Sequence, residues 1–259
     1  LPPRQAMPKA KEAALKALEI DESLAEAHTS LAFVRMNYDW EWAAAEKDFQ
    51  RAIDLNPGYA TAHQWYSEYL SAMGQHEKAL AEIRLAQRLD PLSLVINTSV
   101  ASAYLLGRRY DEAAAQSLKT LEMDSTFVEA HTDLAVSYTL LGAFDKARGE
   151  IQEAARLSPG DLSTTVVLGY VHALSGDTQQ ARRILAEVSE ASAQNRVLAL
   201  DAAAMCAALK DRDLALACLN KAYEDRSGDL AYLKVDPAFD SLRSDPRFQD
   251  LLRRMNFPK

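Results

Sequence analysis

Small and apolar residues recur along the chain every 34 residues. The first row consists of alanines: Ala45, Ala79, Ala113, Ala147, Ala181 and Ala215. A second row at the same interval consists of Ala52, Ala86, Thr120, Ala154, Val188 and Ala222. A third row consists of Phe49, Ile83, Ser117, Ile151, Leu185 and Leu219. Within each repeat the rows are separated by four and three residues, so they lie on one face of a helix.

A second apolar segment precedes each of these helices. It has a small residue at its middle: Ala32, Ser67, Ala101, Ala135, Gly169 and Ala203. Glycines that suit a turn lie between the two segments: Gly74, Gly107, Gly142 and Gly176. Prolines follow the second helix, where a helix stop is expected: Pro57, Pro91 and Pro159. The pattern predicts two helices in each repeat, and repeats of this kind stack on one another.

This pattern resembles the tetratricopeptide repeat (TPR) family over nearly the whole chain. The segments "AHQWYSEYLSAMGQHEKALAEIRLAQRLDP" (Ala62–Pro91) and "AHTDLAVSYTLLGAFDKARGEIQEAARLSP" (Ala130–Pro159) carry a small residue in each helix, an aromatic residue near each helix end and a closing proline. The resemblance implies an all-α, right-handed TPR superhelix (an α-solenoid) of about six two-helix repeats, with a leading helix and a C-terminal capping helix. It says little about function, because many unrelated binding proteins share this scaffold.

The repeat pattern also predicts how the chain is divided. Residues 1–24 are expected to be a partial leading repeat that holds only its second helix. Six units are predicted over residues 25–225, with the bounds 25–59, 60–93, 94–127, 128–161, 162–195 and 196–225. Residues 226–259 leave the 34-residue pattern and contain two Asp-Pro pairs, so we expect a cap on the open end of the stack. The chain begins with Leu1 inside a repeat, and we expect it to come from a longer protein.

One inserted residue sets the first full unit apart. Ala32 and Ala45 are thirteen residues apart, whereas Ser67 and Ala79 in the next unit are twelve apart. We expect the insertion to lie in the turn, where "NYDWEW" replaces a tight glycine turn with a longer aromatic one. The aromatic side chains are Tyr38, Trp40 and Trp42. They either cover the exposed end of this unit or form an edge patch that docks a preceding domain or another copy of the chain.

Composition and charge exclude several classes of function. The net charge is −8 and no long basic run is present, so the sequence lacks a footprint for the nucleic-acid backbone. No apolar run of eighteen residues predicts a membrane span. Cys206 and Cys218 are too few for a disulfide framework and are expected to be buried thiols. We expect a cytoplasmic location, or an extracytoplasmic one if a transmembrane helix precedes this sequence.

No pattern of residues indicates catalysis or metal binding. His28, His63 and His131 occupy equivalent places in different units. Stacked helices lie about 8–10 Å apart, which is too far for these side chains to share one zinc ion. Glycine-rich phosphate loops and hydrolase nucleophile motifs are also missing from the sequence. We therefore predict no catalytic residue, no metal site, no cofactor and no enzymatic activity.

In the TPR family the first helices of the units line a concave groove that holds ligands. The resemblance implies these inward-facing residues: Thr29, Phe33, Thr61, Gln64, Trp65, Glu68, Thr98, Ser102, Glu129, Thr132, Asp133, Val136 and Tyr170. The first helices carry two bases, Arg35 and Arg196, against five acids: Glu26, Glu68, Glu129, Asp133 and Asp201. The sequence also lacks the Lys, Arg and Asn clamp with which some family members hold a peptide carboxylate. We therefore predict a protein or peptide ligand with apolar anchors and basic character.

The repeats and the terminal segment together are similar to the C-terminal repeat regions of bacterial multidomain signalling proteins. In those proteins the arrays follow a winged-helix DNA-binding domain, a serine/threonine kinase domain or a nucleotide cyclase domain. The resemblance implies a non-catalytic scaffold that recognises a protein or peptide partner within a regulatory region. Two alternatives remain: a self-association module that forms a homo-dimer, and a spacer whose groove holds no ligand.

Overall fold

All regular elements that the structure describes are helical. The structure is a computed structural model that describes residues 2–193 and 199–258. The α-helices are α1 (Pro3–Ile20), α2 (Ala25–Val34), α3 (Trp42–Leu55), α4 (Ala60–Ala72), α5 (His76–Leu89), α6 (Leu94–Leu106), α7 (Tyr110–Met123), α8 (Val128–Leu140), α9 (Phe144–Leu157), α10 (Leu162–Ser175), α11 (Thr178–Ala193), α12 (Ala199–Ala208), α13 (Arg212–Asp225) and α14 (Pro246–Arg254). A π-helical turn covers Arg35–Asp39, and two 3₁₀ segments cover Gly228–Tyr232 and Pro237–Leu242.

The helices pack as consecutive pairs, from α2 with α3 to α12 with α13. The first helix of each pair also contacts the first helix of the next, as α4 does with α6 and α8 with α10. The alanines that define the 34-residue period are fully buried, with 0% of the surface of each exposed: Ala45, Ala79, Ala113, Ala147, Ala181 and Ala215. Small residues at these positions let neighbouring helices approach closely. The predicted all-α solenoid of paired helices is confirmed. Arg196, where the last unit was predicted to begin, lies outside the described residues.

One position in the turns between paired helices takes the left-handed backbone conformation in six repeats. The position recurs every 34 residues: Trp40, Gly74, Arg108, Gly142, Gly176 and Lys210. Glycine is favoured there because a Cβ crowds the backbone at positive φ. In the third unit Arg108 has a φ of 64°, whereas Gly107, the glycine that the sequence singled out, has a φ of −79°. The period is thus a better guide to this position than the residue type.

The inserted residue of the first unit is not in the turn, and that expectation is wrong. Trp40 precedes Ala45 by five residues, as Gly74 precedes Ala79. The turn therefore has the same length as in the next unit. The extra residue is taken up earlier, where the chain is π-helical over Arg35–Asp39. A π-helical turn accommodates one additional residue in a helix without ending it.

The two ends of the solenoid meet, because the last residues pack against the first full unit. One continuous hydrophobic core contains Trp40 and Trp42 together with Phe239, Phe248 and Met255. The helix α14 packs on α13, and the 3₁₀ segment Gly228–Tyr232 reaches the π-helical turn and α4. The C-terminal segment, which we define as residues 226–258, therefore does more than cover the last repeat: it joins the end of the stack to its beginning.

Candidate functional site

A cavity of about 440 Å³ lies between the first helices of successive repeats and the C-terminal segment. One wall is formed by side chains from α4, α6, α8, α10 and α12. The opposite wall is formed by the C-terminal segment, with the residues Asp229, Tyr232, Asp236, Pro237, Ala238 and Phe239. We call this space the concave cavity. It exists because the 3₁₀ segments run along the inner side of the solenoid instead of leaving the groove open.

Five of the thirteen predicted groove residues line the concave cavity: Glu68, Ser102, Asp133, Val136 and Tyr170. They come from four different helices, and the fold brings them together as the repeat pattern implied. The other predicted groove residues do not line this cavity: Thr29, Phe33, Thr61, Gln64, Trp65, Thr98, Glu129 and Thr132.

Several of these eight residues are occupied by contacts within the chain. Thr29 is buried, and its hydroxyl donates a hydrogen bond to the carbonyl of Ala25 at 2.8 Å. The Trp65 ring packs against Phe33, with 4.6 Å between the ring centroids. Sequence periodicity placed the predicted groove residues on the first helices of the units, but it could not separate side chains that line the cavity from those that pack within the chain.

The residues of the C-terminal segment that close the cavity were not predicted from the sequence. Asp229, Tyr232, Asp236 and Phe239 line it, although the segment was expected to cap the end of the stack. No repeat signal could have placed them there, because the segment lies outside the 34-residue pattern. Asp201 was recognised as a groove acid but was not included among the site residues, and it also lines the cavity.

Burial raises the pKa of the carboxyl groups around the cavity. Loss of hydration raises the pKa of Glu68 to about 7, although hydrogen bonds from Gln64 and Tyr232 partly offset the effect. Burial likewise raises the pKa of Asp133 to about 7, with a smaller contribution from the negative charge of Glu129. A carboxyl group whose charged form is poorly solvated retains its proton to higher pH. Both side chains are thus partly protonated near neutral pH.

The remaining acids of the cavity behave in the same way. Burial raises the pKa of Asp201 to about 6, and the charges of Asp229 and Asp236 add to the effect. The pKa of Asp236 is also about 6, again chiefly from burial, and the pKa of Asp229 is raised. Asp201 and Asp229 stay open to solvent on one side. Among the described residues, no Lys or Arg side chain lines the cavity, so a positively charged group would relieve this repulsion.

Several polar side chains of the cavity make no hydrogen bond or ion pair within the described residues, and Tyr170 and Asp133 are two of them. Tyr170 is 9% exposed, and its hydroxyl makes no hydrogen bond to another side chain or to the backbone there. The carboxylate of Asp133 forms neither a hydrogen bond nor an ion pair in the same part of the chain; only its backbone carbonyl accepts one, from Ser137. Buried polar groups are normally paired. The cavity therefore offers unused hydrogen-bonding capacity.

The aromatic residues that were expected to form an exposed edge are covered by the chain itself. Trp42 is 5% exposed, its indole nitrogen donates a 2.8 Å hydrogen bond to the carbonyl of Met255, and its ring stacks on Phe257. Trp40 is 1% exposed and stacks on Tyr223.

Tyr38, the third of these aromatics, is tied to the same end of the chain. Its backbone carbonyl accepts a 2.8 Å hydrogen bond from Arg226, whose guanidinium also lies over the Trp40 ring. The interpretation of these three residues as a docking patch for another chain therefore needs correction. The closure of the solenoid buries both tryptophans and leaves them no free surface.

The histidines that recur between units serve the packing of the repeats. Nδ1 of His63 lies 2.6 Å from Glu82 and its Nε2 lies 3.0 Å from the carbonyl of Pro57. His131 repeats this arrangement with Glu150. Within the described ranges no three His, Cys, Asp or Glu side chains lie close enough together to hold a metal ion. Over the same ranges, no helix has the length and apolar character needed to span a membrane.

Comparison with known sequences finds proteins that are similar to this chain over part of their length. No protein-family model matches the chain. Human protein O-mannosyl-transferase TMTC3 is 29% identical over 171 residues, which are 63% of this chain and 18% of that protein. Human tetratricopeptide repeat protein 6 is 28% identical over 55% of the chain and 28% of its own length. The mouse BBSome complex member BBS4 is 32% identical over 65% of the chain and 32% of its own length. The chain spans about a third or less of each of these relatives.

Comparison with solved structures gives matches over almost the whole chain. A tetratricopeptide repeat protein from Parabacteroides merdae matches 98% of the chain and 93% of its own length, with a TM-score of 0.65 and 14% identity. The Cut9–Hcn1 hetero-tetramer of APC/C matches with a TM-score of 0.64 and 14% identity over 96% of the chain and 46% of the chain it matches. The pilus biogenesis factor PilW matches with a TM-score of 0.57 and 18% identity over 88% and 98%. At these identities the matches bear on the fold alone, and they agree with the 34-residue helix pairs: the chain has the fold of the tetratricopeptide-repeat solenoids.

Proposed function

We propose that the chain is a non-catalytic scaffold that binds a peptide segment of a partner protein at the concave cavity. The segment has apolar anchors and at least one basic residue. The lining of the cavity carries the proposal, because carboxyl groups from α4, α8, α12 and the C-terminal segment surround it together with apolar side chains. Complementary charge favours a basic ligand over an acidic one.

Two of the similar proteins are named as parts of larger assemblies, which supports a binding role. BBS4 is named a member of the BBSome complex, and Cut9 forms a hetero-tetramer with Hcn1. TMTC3 is named a transferase, but the chain spans only 18% of it, so that activity is not carried over. A repeat scaffold with an enclosed acidic cavity can recognise a partner without performing chemistry on it.

The sequence resemblance to bacterial repeat regions extends the proposal to the whole protein. We propose that this scaffold is the partner-recognition region of a larger bacterial signalling protein and acts in the cytoplasm. The sequence of the full gene tests this directly. An adjoining winged-helix, kinase or cyclase domain would support the proposal, whereas a gene that encodes only repeats would contradict it.

Calorimetric titration with matched peptides tests the peptide site. Each pair has the same apolar residues and differs only in whether Lys or Glu occupies one central position. We expect the Lys peptide to bind more tightly to the wild type, and Asp133→Asn to remove much of the difference. The control is Glu122→Gln, which changes an exposed acid of α7 that does not line the cavity. Equal binding of both peptides to the wild type would refute the proposal.

No second function is proposed. The homo-dimer was the alternative in which the solenoid edges near Trp40, Trp42 and the terminal helix meet, and both tryptophan side chains are buried within the chain. Nothing in the described residues therefore favours self-association over peptide binding, and light scattering over a range of concentrations checks the remaining possibility of a homo-dimer.

A further inference from the structure

We infer that the concave cavity recognises an organic cation: a primary ammonium or guanidinium group carried on a short apolar chain. The inference rests on the proposed function, because a Lys or Arg side chain of a peptide is one source of this group. A free aliphatic amine is the other source. What is new is that the cationic group itself, and not the peptide backbone, is the recognised element.

Acidic side chains surround the cavity on several sides. Glu68, Asp133, Asp201 and Asp236 reach it from three different helices and the C-terminal segment. In the described part of the chain no basic side chain lines the cavity to balance them. Arg108, which is close to this wall, is already engaged by Asp240. Charges in such a concave, partly dehydrated space interact more strongly than on an open surface.

The cavity also contains hydrogen-bonding groups that the chain itself does not use. Tyr170 is 9% exposed and lines the cavity, and its hydroxyl makes no hydrogen bond within the described residues. The Asp133 carboxylate likewise forms no hydrogen bond and no ion pair within the described residues. An ammonium group donates three hydrogen bonds, and a hydroxyl oxygen and a carboxylate both accept. A cation seated between these groups would satisfy acceptors that the chain itself leaves free.

Part of the cavity lining is apolar. Val136, Leu140, Val166 and Phe239 line the cavity beside the polar groups. They provide a surface for the methylene chain that carries the cation. The rings of Tyr170 and Tyr232 also line the space, and aromatic faces attract cations.

The size of the cavity and the spacing of its acids select the kind of cation. A volume of about 440 Å³ lies within the range of about 300–1,000 Å³ that is usual for small-molecule sites. A bare metal ion needs several oxygen ligands at about 2.0–2.6 Å. In the ranges that the structure describes, no three acidic side chains are grouped closely enough for that. The geometry therefore favours an extended organic cation over a metal ion.

Calorimetric titration of the full chain with small probes tests the inference. The probes are n-pentylammonium and 1,5-diaminopentane, and 1-pentanol is the uncharged control. A peptide with one central Lys is titrated beside the same peptide with norleucine at that position. We expect Asp133→Asn to weaken binding of the cationic probes or the Lys peptide about tenfold, the effect of losing one charge-assisted hydrogen bond. Tyr170→Phe should weaken it about threefold, and Glu122→Gln, at an exposed acid of α7 away from the cavity, should have no effect.

The outcomes separate this inference from the proposed function. If the Lys and norleucine peptides both bind, and with equal affinity, the cation is not recognised and the inference fails, while peptide binding stands. If the amines bind but neither peptide does, the inference stands and the proposed function fails. If only the Lys peptide binds and Asp133→Asn weakens it, the inference stands with a side chain as the source of the cation. Unchanged affinity in Asp133→Asn and Tyr170→Phe would overturn the inference, provided that both variants keep the wild-type circular dichroism spectrum.

Discussion

Replacement of Gly169 by alanine tests the close packing of the first helices α10 and α12. Gly169 lies in α10, and a Cβ added there would overlap Cε of Met205 in α12 and would lie 2.8 Å from Cγ2 of Ile184. Met205 is fully buried, with 0% of its surface exposed, so its methyl group cannot move into solvent. The β-branched Ile184 is restricted in its rotamers. The added methyl group must therefore displace packed atoms.

Two opposing effects determine the size of the change. Alanine is favoured over glycine inside a helix by about 1 kcal/mol. Overpacking of a core by a methyl group costs about 1–3 kcal/mol. The clash at Gly169 involves two side chains, so we expect overpacking to dominate. The free energy of unfolding should fall by about 1–2 kcal/mol, which equilibrium denaturation in urea can resolve.

Gly149 provides the matched control in α9. It is exposed, and a Cβ added there would meet no atom within 4 Å. Gly149→Ala should therefore show the helix-propensity gain alone and raise the free energy of unfolding by about 1 kcal/mol. The two substitutions are chemically identical and should act in opposite directions. If Gly169→Ala stabilises the chain as much as Gly149→Ala does, the close packing of α10 on α12 is incorrect.

Three further predictions concern the closure, the acids and the turns. Trp42→Phe should lower the free energy of unfolding by about 1–3 kcal/mol, because the Met255 carbonyl loses its hydrogen-bond donor. Light scattering of this variant should show the same molar mass as the wild type. A lower molar mass would reveal that Trp42 holds a second copy of the chain. The free energy of unfolding should decrease as pH rises from about 4 to about 7, because the cavity acids hold protons that the unfolded chain releases. In urea denaturation, the difference in this free energy between pH 5 and pH 8 should be smaller for Asp133→Asn than for the wild type, by roughly 1 kcal/mol after allowance for solvent in the cavity. A free energy of unfolding that increases with pH would contradict the raised pKa values. Lys210→Gly should stabilise the chain by about 1 kcal/mol, because Lys210 has a φ of 62° and only glycine adopts this backbone conformation without strain from a Cβ. If urea denaturation shows that the variant is less stable, the Lys210 side chain makes a stabilising contact.

The sequence alone determined the helices and the way they stack. Contacts in a stack of repeats are made between neighbours, so a residue pattern with the period of the repeat carries nearly all the information that the local packing needs. The burial of Ala45, Ala135 and Gly169 agrees with their places in the pattern. The period even marks Arg108 as a left-handed turn residue, one full interval after Gly74, although its residue type gives no hint of this.

Part of the candidate site could also be predicted from the sequence. Glu68, Asp133 and Tyr170 line the cavity because their positions on the first helices fix the direction of their side chains. Trp65 and Thr29 lie on the same class of helix but are taken up by contacts within the chain. Whether a side chain lines the cavity or packs within the chain depends on the exact positions of the neighbouring side chains. A single sequence does not contain that information.

Only the tertiary structure decided that the solenoid closes on itself. The hydrogen bond from Trp42 to Met255 joins residues 213 positions apart, and no periodic pattern links two such positions. Closure results from many small rotations between successive repeats, each of which depends on the shapes of the packed side chains. These rotations bring the C-terminal segment to the inner side of the stack, where Asp236 and Phe239 complete the cavity. Helix formation is local and therefore readable along the chain, whereas the enclosed acidic site depends on the summed geometry of all the repeats.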